Sequence, residues 1–110
     1  MFHMKNKNLF YNVNEIIVRP GLESSYIDFS KKLNSYLLKE YSRYYAGLQL
    51  YQDNSISNVF HVIASYYDVP GVYKVAPLIG DNISCIYDKV WDSSVERNSL
   101  FSFLNSKRIF

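Results

Sequence analysis

Apolar residues recur along this chain with two different periods. Residues 9–19 alternate, with Leu9, Tyr11, Val13, Glu15, Ile17 and Arg19 on one side and Phe10, Asn12, Asn14, Ile16 and Val18 on the other. That alternation predicts a strand, and the mixed character of both sides predicts cover on both faces over part of its length. Pro20 fixes φ and ends the strand, and Gly21 permits a tight turn. From Leu22 or Glu23 to about Ser42 the period lengthens to three and four residues. Tyr26, Phe29, Leu33, Tyr36, Leu37 and then Glu40 or Tyr41 form one stripe, opposite Asp28, Lys31, Lys32, Ser35 and Lys39. Glu23 near the start and Lys39 and Arg43 near the end suit the dipole of a long amphipathic helix. This strand, turn and helix organise the chain, and the remainder reads as a less regular copy of the same material.

Residues 44–52 and 59–66 predict two further strands, joined by the polar run Asp53-Asn54-Ser55-Ile56-Ser57-Asn58. So short a connection predicts an antiparallel hairpin. Residues 68–80 mix Pro70, Gly71, Pro77 and Gly80 with Val72, Tyr73, Val75, Leu78 and Ile79, which predicts a short helical turn followed by a flap. Asp81 suits the N-cap of a second helix reaching about Val95, with Ile83, Ile86, Tyr87, Val90 and Trp91 inward. A last strand is expected over residues 99–104.

The order is therefore β-α-β-β-α-β, the ferredoxin-like arrangement of an α+β sandwich with a four-stranded antiparallel sheet and both helices on one face. One domain is expected over residues 9–104, with a disordered or tag-like tail over residues 1–8 and a C-terminal tail over residues 105–110. The second sheet face would carry aliphatic and aromatic side chains into water. A homodimer joined through that face is the expected solution.

Composition narrows the function classes. A chain of 110 residues is one domain by size. Eleven Tyr and seven Phe against one Trp suit pocket walls, interfaces and a plain core alike. The net charge is +2, and only Lys31-Lys32 and Lys107-Arg108 are adjacent basic pairs, so the basic stripe that nucleic acid requires is missing. RNA binding on this topology would also need a basic-aromatic motif on the third strand, and Val59-Phe60-His61-Val62-Ile63-Ala64 lacks one. Cys85 is the single cysteine and reads as a small buried hydrophobe between Ile83 and Ile86. No run approaches a membrane span, and the first residues lack a signal-peptide core, so the expected location is the cytoplasm, with a removed leader also compatible.

Candidate chemistry is sparse. His61 stands mid-strand and His3 in the tail, with no second ligand at metal spacing, so neither a metal nor a cofactor is expected. There is no G-x-S-x-G elbow and no phosphate-binding Gly loop. What stands out is aromatic: Tyr11, Tyr26, Tyr36, Tyr45, Tyr51, Tyr66, Tyr67, Tyr87 and Trp91. With Asn12, Asn14 and His61 these would line a mostly apolar sheet–helix pocket with a few polar anchors.

The Val18-Arg19-Pro20-Gly21 turn, the helix over residues 22–41, the Tyr45-Ala46-Gly47-Leu48-Gln49-Leu50-Tyr51 strand and the Leu100-Phe101-Ser102-Phe103 close resemble the dimeric α+β barrel superfamily. Within it the chain is most similar to antibiotic-biosynthesis-monooxygenase-like domains, over about residues 10–104. The resemblance implies paired sheets forming a barrel, with a pocket in each subunit between sheet and helices. It also implies a cofactor-independent monooxygenase-like activity on a small aromatic ligand, with Asn14 and His61 as candidate catalytic residues. Asn12, Tyr26, Tyr66, Tyr87 and Trp91 would then be ligand-binding. In the haem-degrading branch, a first-strand Asn, a helix Trp and a later His act together. Asn14 and Trp91 match the first two, but Phe101 stands where the axial His belongs, so haem chemistry loses its main support. The alternative is a non-catalytic dimerisation or ligand-sensing module, such as the amino-acid-binding regulatory domains that share the Arg19-Pro20-Gly21 turn.

Overall fold

The two periods at the start of the chain fold as a strand and a helix. In the computed structural model, which describes residues 8–110, they become β1 (Leu9–Val18) and α1 (Glu23–Glu40). The tail expected over residues 1–8, with His3, lies outside the described residues except for Asn8. Between β1 and α1, Gly21 adopts φ +98°, and its N–H donates to Glu23 Oε1 at 2.8 Å. The chain continues with β2 (Tyr45–Asp53), β3 (Val59–Tyr67), α2 (Val72–Val90), a 3-10 turn (Asp92–Ser94), β4 (Val95–Leu100) and β5 (Ser106–Arg108). All strand pairs are antiparallel, in the order β4-β1-β3-β2-β5. The fold is thus α+β, a five-stranded antiparallel sheet with two helices.

Ile16 and Val18 of β1, Leu48 and Leu50 of β2, and Phe60, Val62, Ala64 and Tyr66 of β3 form the buried inner face beneath the helices. From α1 the buried stripe is Tyr26, Ser30, Leu33 and Leu37. Tyr36, expected inward, is exposed. Ser30 is buried in the stripe and avoids an unsatisfied hydroxyl by donating to the Tyr26 carbonyl at 2.9 Å. A bulge between Tyr45 and Gly47 interrupts the β2–β3 ladder, with Gly47 at φ +138°. Asn34 of α1 accepts the Leu48 N–H there at 2.9 Å, tying the helix to the strand.

The second half of the chain departs from the expected boundaries. The turn and flap expected over residues 68–80 are instead the start of α2, whose N-cap is Gly71 at φ +90°. Val72, Ile79 and Tyr87 are buried, and Val75, Ala76, Ile83 and Ile86 pack beside them. This stripe runs through Pro77 and Gly80 without a break. Burying it outweighs intrinsic helix penalties of about 3 kcal/mol for Pro and about 1 kcal/mol for Gly. Asp81 is therefore mid-helix rather than a cap. Cys85 is exposed instead of buried, because two residues turn it about 200° away from Ile83. Val90 is also exposed. Since α2 ends at Val90 and not near residue 95, the following strand is Val95–Leu100 in place of residues 99–104.

The expected C-terminal tail contains a fifth strand. Past Arg108 the pairing continues, with Ile109 N–H donating to Leu50 O at 2.7 Å and Leu50 N–H to Phe110 O at 2.9 Å. Because β4 and β5 lie at opposite edges, residues 101–105 must cross the outer sheet face. Four strand spacings amount to about 19 Å, and six Cα steps reach at most about 22 Å, so this strap is nearly extended. Phe103 lies along it, stacked on His61 at 4.5 Å between ring centroids and beside Tyr51 at 5.1 Å. The outer face is therefore partly covered by the chain's own strap, not wholly bare.

Candidate functional site

The alternation of β1 turns Asn12 and Asn14 toward the helices, on the same side as Ile16 and Val18. Here the sheet and helices do not close completely. A cavity of about 60 Å³ remains, with Ile16, Leu48, Val62 and Ala64 on the sheet side and Leu33, Gly80 and Ile83 on the helix side. Its polar wall is Asn12, Asn14, Tyr66, Tyr87 and Arg97, and Tyr45 also lines it. A Cβ built on Gly80 would meet no atom within 4 Å, so the missing side chain leaves open space where α2 passes over the cavity. Asn12, Asn14 and Arg97 also form a common wall with an open groove of about 480 Å³. Tyr11, Val13, Ser99, Leu100 and Phe101 line the rest of that groove, beyond the end of β4.

Each polar group has an identifiable support. Arg97 pairs across from Ile16 on β4, which sends its side chain to the helix side of the sheet. Its guanidinium lies over the Tyr87 ring at 4.5 Å, a cation–π contact. It also donates to Ser84 Oγ at a long 3.4 Å, and it forms no ion pair among the described residues. Tyr87 and Tyr26 share a buried hydrogen bond of 2.6 Å between hydroxyls.

Burial pushes the Tyr87 phenol up from its ordinary value, partly opposed by the Tyr26 hydrogen bond and the Arg97 charge. Burial also raises Tyr66, opposed by hydrogen bonding to Asn12 and by Arg97. Tyr26 is driven well above its usual range, first by burial and then by the neighbouring Tyr87. At neutral pH these groups are intact phenols, able to donate and accept hydrogen bonds but not poised as bases.

The structure brings together four of the seven residues expected at a site: Asn12, Asn14, Tyr66 and Tyr87. Tyr26 stands behind Tyr87 in the core, ringed by Phe29, Phe60, Tyr87 and Trp91. Trp91 packs on Phe29 and Tyr26 away from the cavity, and its buried indole N–H has no hydrogen-bond partner among the described residues. His61 lies on the opposite sheet face. It is only 5% exposed, beneath Phe103, with Nδ1 2.9 Å from Ser106 Oγ. Strand parity separates His61 from Asn14, since the cross-strand partner of Asn14 is Val62 and that of His61 is Glu15. Asn14 and His61 therefore lie on opposite faces of the sheet and do not line one cavity within the chain.

Arg97 escaped the sequence reading because the second helix was carried to residue 95 and the last strand began at 99. The signal was the alternation of Val95, Arg97 and Ser99 against Glu96, Asn98 and Leu100.

Among the described residues no three His, Cys, Asp or Glu side chains are grouped to hold a metal ion. No described helix is long and apolar enough to cross a membrane. No family model, curated protein or solved structure matches this chain.

Proposed function

We propose that this chain is a small-ligand-binding domain whose ligand occupies the cavity between sheet and helices. The supporting observation is the convergence of Asn12, Asn14, Tyr66, Tyr87 and Arg97 on one end of an otherwise apolar space. Apolar walls with a few directed polar groups are the usual composition of a binding site. The wall offers amides, phenols and a guanidinium, and none of these is ready to take a proton at neutral pH. This favours the ligand-sensing reading over a cofactor-independent oxygenase. The space also argues against a polycyclic aromatic ligand, because 60 Å³ holds about two waters at roughly 30 Å³ each.

The test is a fragment titration followed by NMR, reading the Asn12 and Asn14 side-chain amides. Saturable shifts at both are expected, and their loss in Gly80→Leu, which projects a side chain into the cavity, with the fold retained. A panel that leaves both amides unmoved would overturn the reading.

A second reading concerns assembly. The chain order β-α-β-β-α-β and the sheet order β4-β1-β3-β2 support a ferredoxin-like core to which β5 is added. Leu9, Tyr11, Phe101 and Leu104 remain exposed. Tyr11 and Phe101 join Val13, Gln49 and Ile63 around an outer-face groove of about 450 Å³. This surface supports association of two copies through the part of the sheet that the strap leaves open.

A further inference from the structure

We infer that the ligand of this cavity is a short-chain monocarboxylate, held with its charged end on Arg97 and its chain over Ile16, Val62 and Ala64. The inference rests on the binding reading above and assigns the chemical class of its ligand.

Charge comes first. Arg97 is a half-buried cation with five N–H donors, always protonated, and no carboxylate pairs with it among the described residues. No Asp or Glu lines the cavity or the adjoining groove, while two amides and two phenols stand beside the guanidinium. Every polar group there can donate, and one carries positive charge. That set matches a monoanion. A cationic ligand would meet Arg97 without a counter-charge, and a neutral one would leave the guanidinium unpaired.

Geometry adds orientation. Asn12, Asn14 and Arg97 form the wall between cavity and groove, so an oxyanion there reaches all three side chains and keeps access to water. The Tyr87 ring beneath the guanidinium limits its movement, which lowers the entropy lost when its planar fork engages a carboxylate. Size sets the chain length. Space for about two waters, at roughly 30 Å³ each, takes an apolar tail of about two or three carbons with the carboxylate left at the groove wall, the size of propionate or butyrate.

The probes are butyrate and its neutral isostere butyramide, titrated into the full chain by calorimetry and by NMR of the Asn12 and Asn14 amides. Butyrate is expected to bind saturably and butyramide at least tenfold more weakly. Arg97→Gln should remove at least a tenfold share of the butyrate affinity and erase the difference between the two ligands, and Arg97→Lys should restore part of it. Equal affinities in the unaltered chain would overturn the carboxylate assignment while leaving the cavity as a binding site. Silence of both amides toward both compounds would overturn the two together. The comparison within the unaltered chain does not depend on a variant folding.

Discussion

Tyr26 and Tyr87 carry more of the inner core than their hydroxyls suggest. Tyr26 is fully buried, and its hydroxyl bonds to that of Tyr87 at 2.6 Å and also interacts with Ser30. Replacing either tyrosine by Phe takes that partner from the other hydroxyl, at about 1–3 kcal/mol where a buried group is left unsatisfied. Replacing both removes the pair and leaves two apolar rings. Urea unfolding of Tyr26→Phe, Tyr87→Phe and the double variant should therefore give a loss for each single change and a smaller loss for the double one. Additive losses would show that the hydroxyls do not act as a pair.

The same burial fixes the alkaline limit. Tyr26, Tyr45, Tyr66 and Tyr87 are all raised above the ordinary value of 10.0, chiefly by desolvation. Above pH 10 the unfolded chain releases these protons before the folded chain does, so it binds fewer, and stability falls with rising pH. The stabilisation is complete below pH 10 and is lost as pH climbs through the raised folded values. Absorbance at 295 nm should show the buried group ionising only with loss of near-UV circular dichroism. That Asn12, Asn14, Tyr66 and Tyr87 meet at one cavity was legible in part, because strand parity puts the two amides on one face and the aromatic content marks the space between sheet and helices. The displacement of His61 was also available from parity, since residues 14 and 61 fall on opposite faces once the β1–β3 register is known; one strand read alone contains no register.

At the level of elements, the chain uses one device twice. Pro20-Gly21 precedes α1 and Pro70-Gly71 precedes α2, and both glycines take positive φ, +98° and +90°. The first was legible because an uninterrupted apolar stripe follows it. The second was hidden by Pro77 and Gly80, residues whose local preference opposes a helix and which are overridden by tertiary burial of Val72, Ile79 and Tyr87. That conflict has a measurable cost. Pro77 is exposed and removes the N–H that would bond the Tyr73 carbonyl, so Pro77→Ala should raise stability, by up to about 3 kcal/mol. Gly71→Ala should do the reverse, losing about 1 kcal/mol or more, because Ala disfavours φ +90°. Thermal melts of the two variants with opposite signs would establish that α2 begins at Gly71. If Gly71→Ala were neutral, the helix would have to start later, nearer the Asp81 cap.

For the molecule as a whole, the two faces of the sheet have different fates. The inner face is closed by the helices except at the cavity. The outer face is closed by a single strap, so Phe103 covers His61 and Tyr51 while Tyr11, Val13, Ile63 and Phe101 border an open groove. The groove lies over the β1–β3 and β3–β2 ladders, although β1 gains β4 as a second neighbour only from Val13 onward. Association there draws mainly on apolar burial, to which an exposed aromatic such as Tyr11 contributes strongly.

In a two-fold pair the same patch meets itself, so one substitution enters the interface twice. Tyr11→Glu places two carboxylates in a surface that would lose its water, whereas on a monomer it alters an already exposed side chain. Sedimentation of the unaltered chain should give twice the chain mass, and Tyr11→Glu the single mass, with unchanged circular dichroism. A monomer in both cases would remove the two-copy reading.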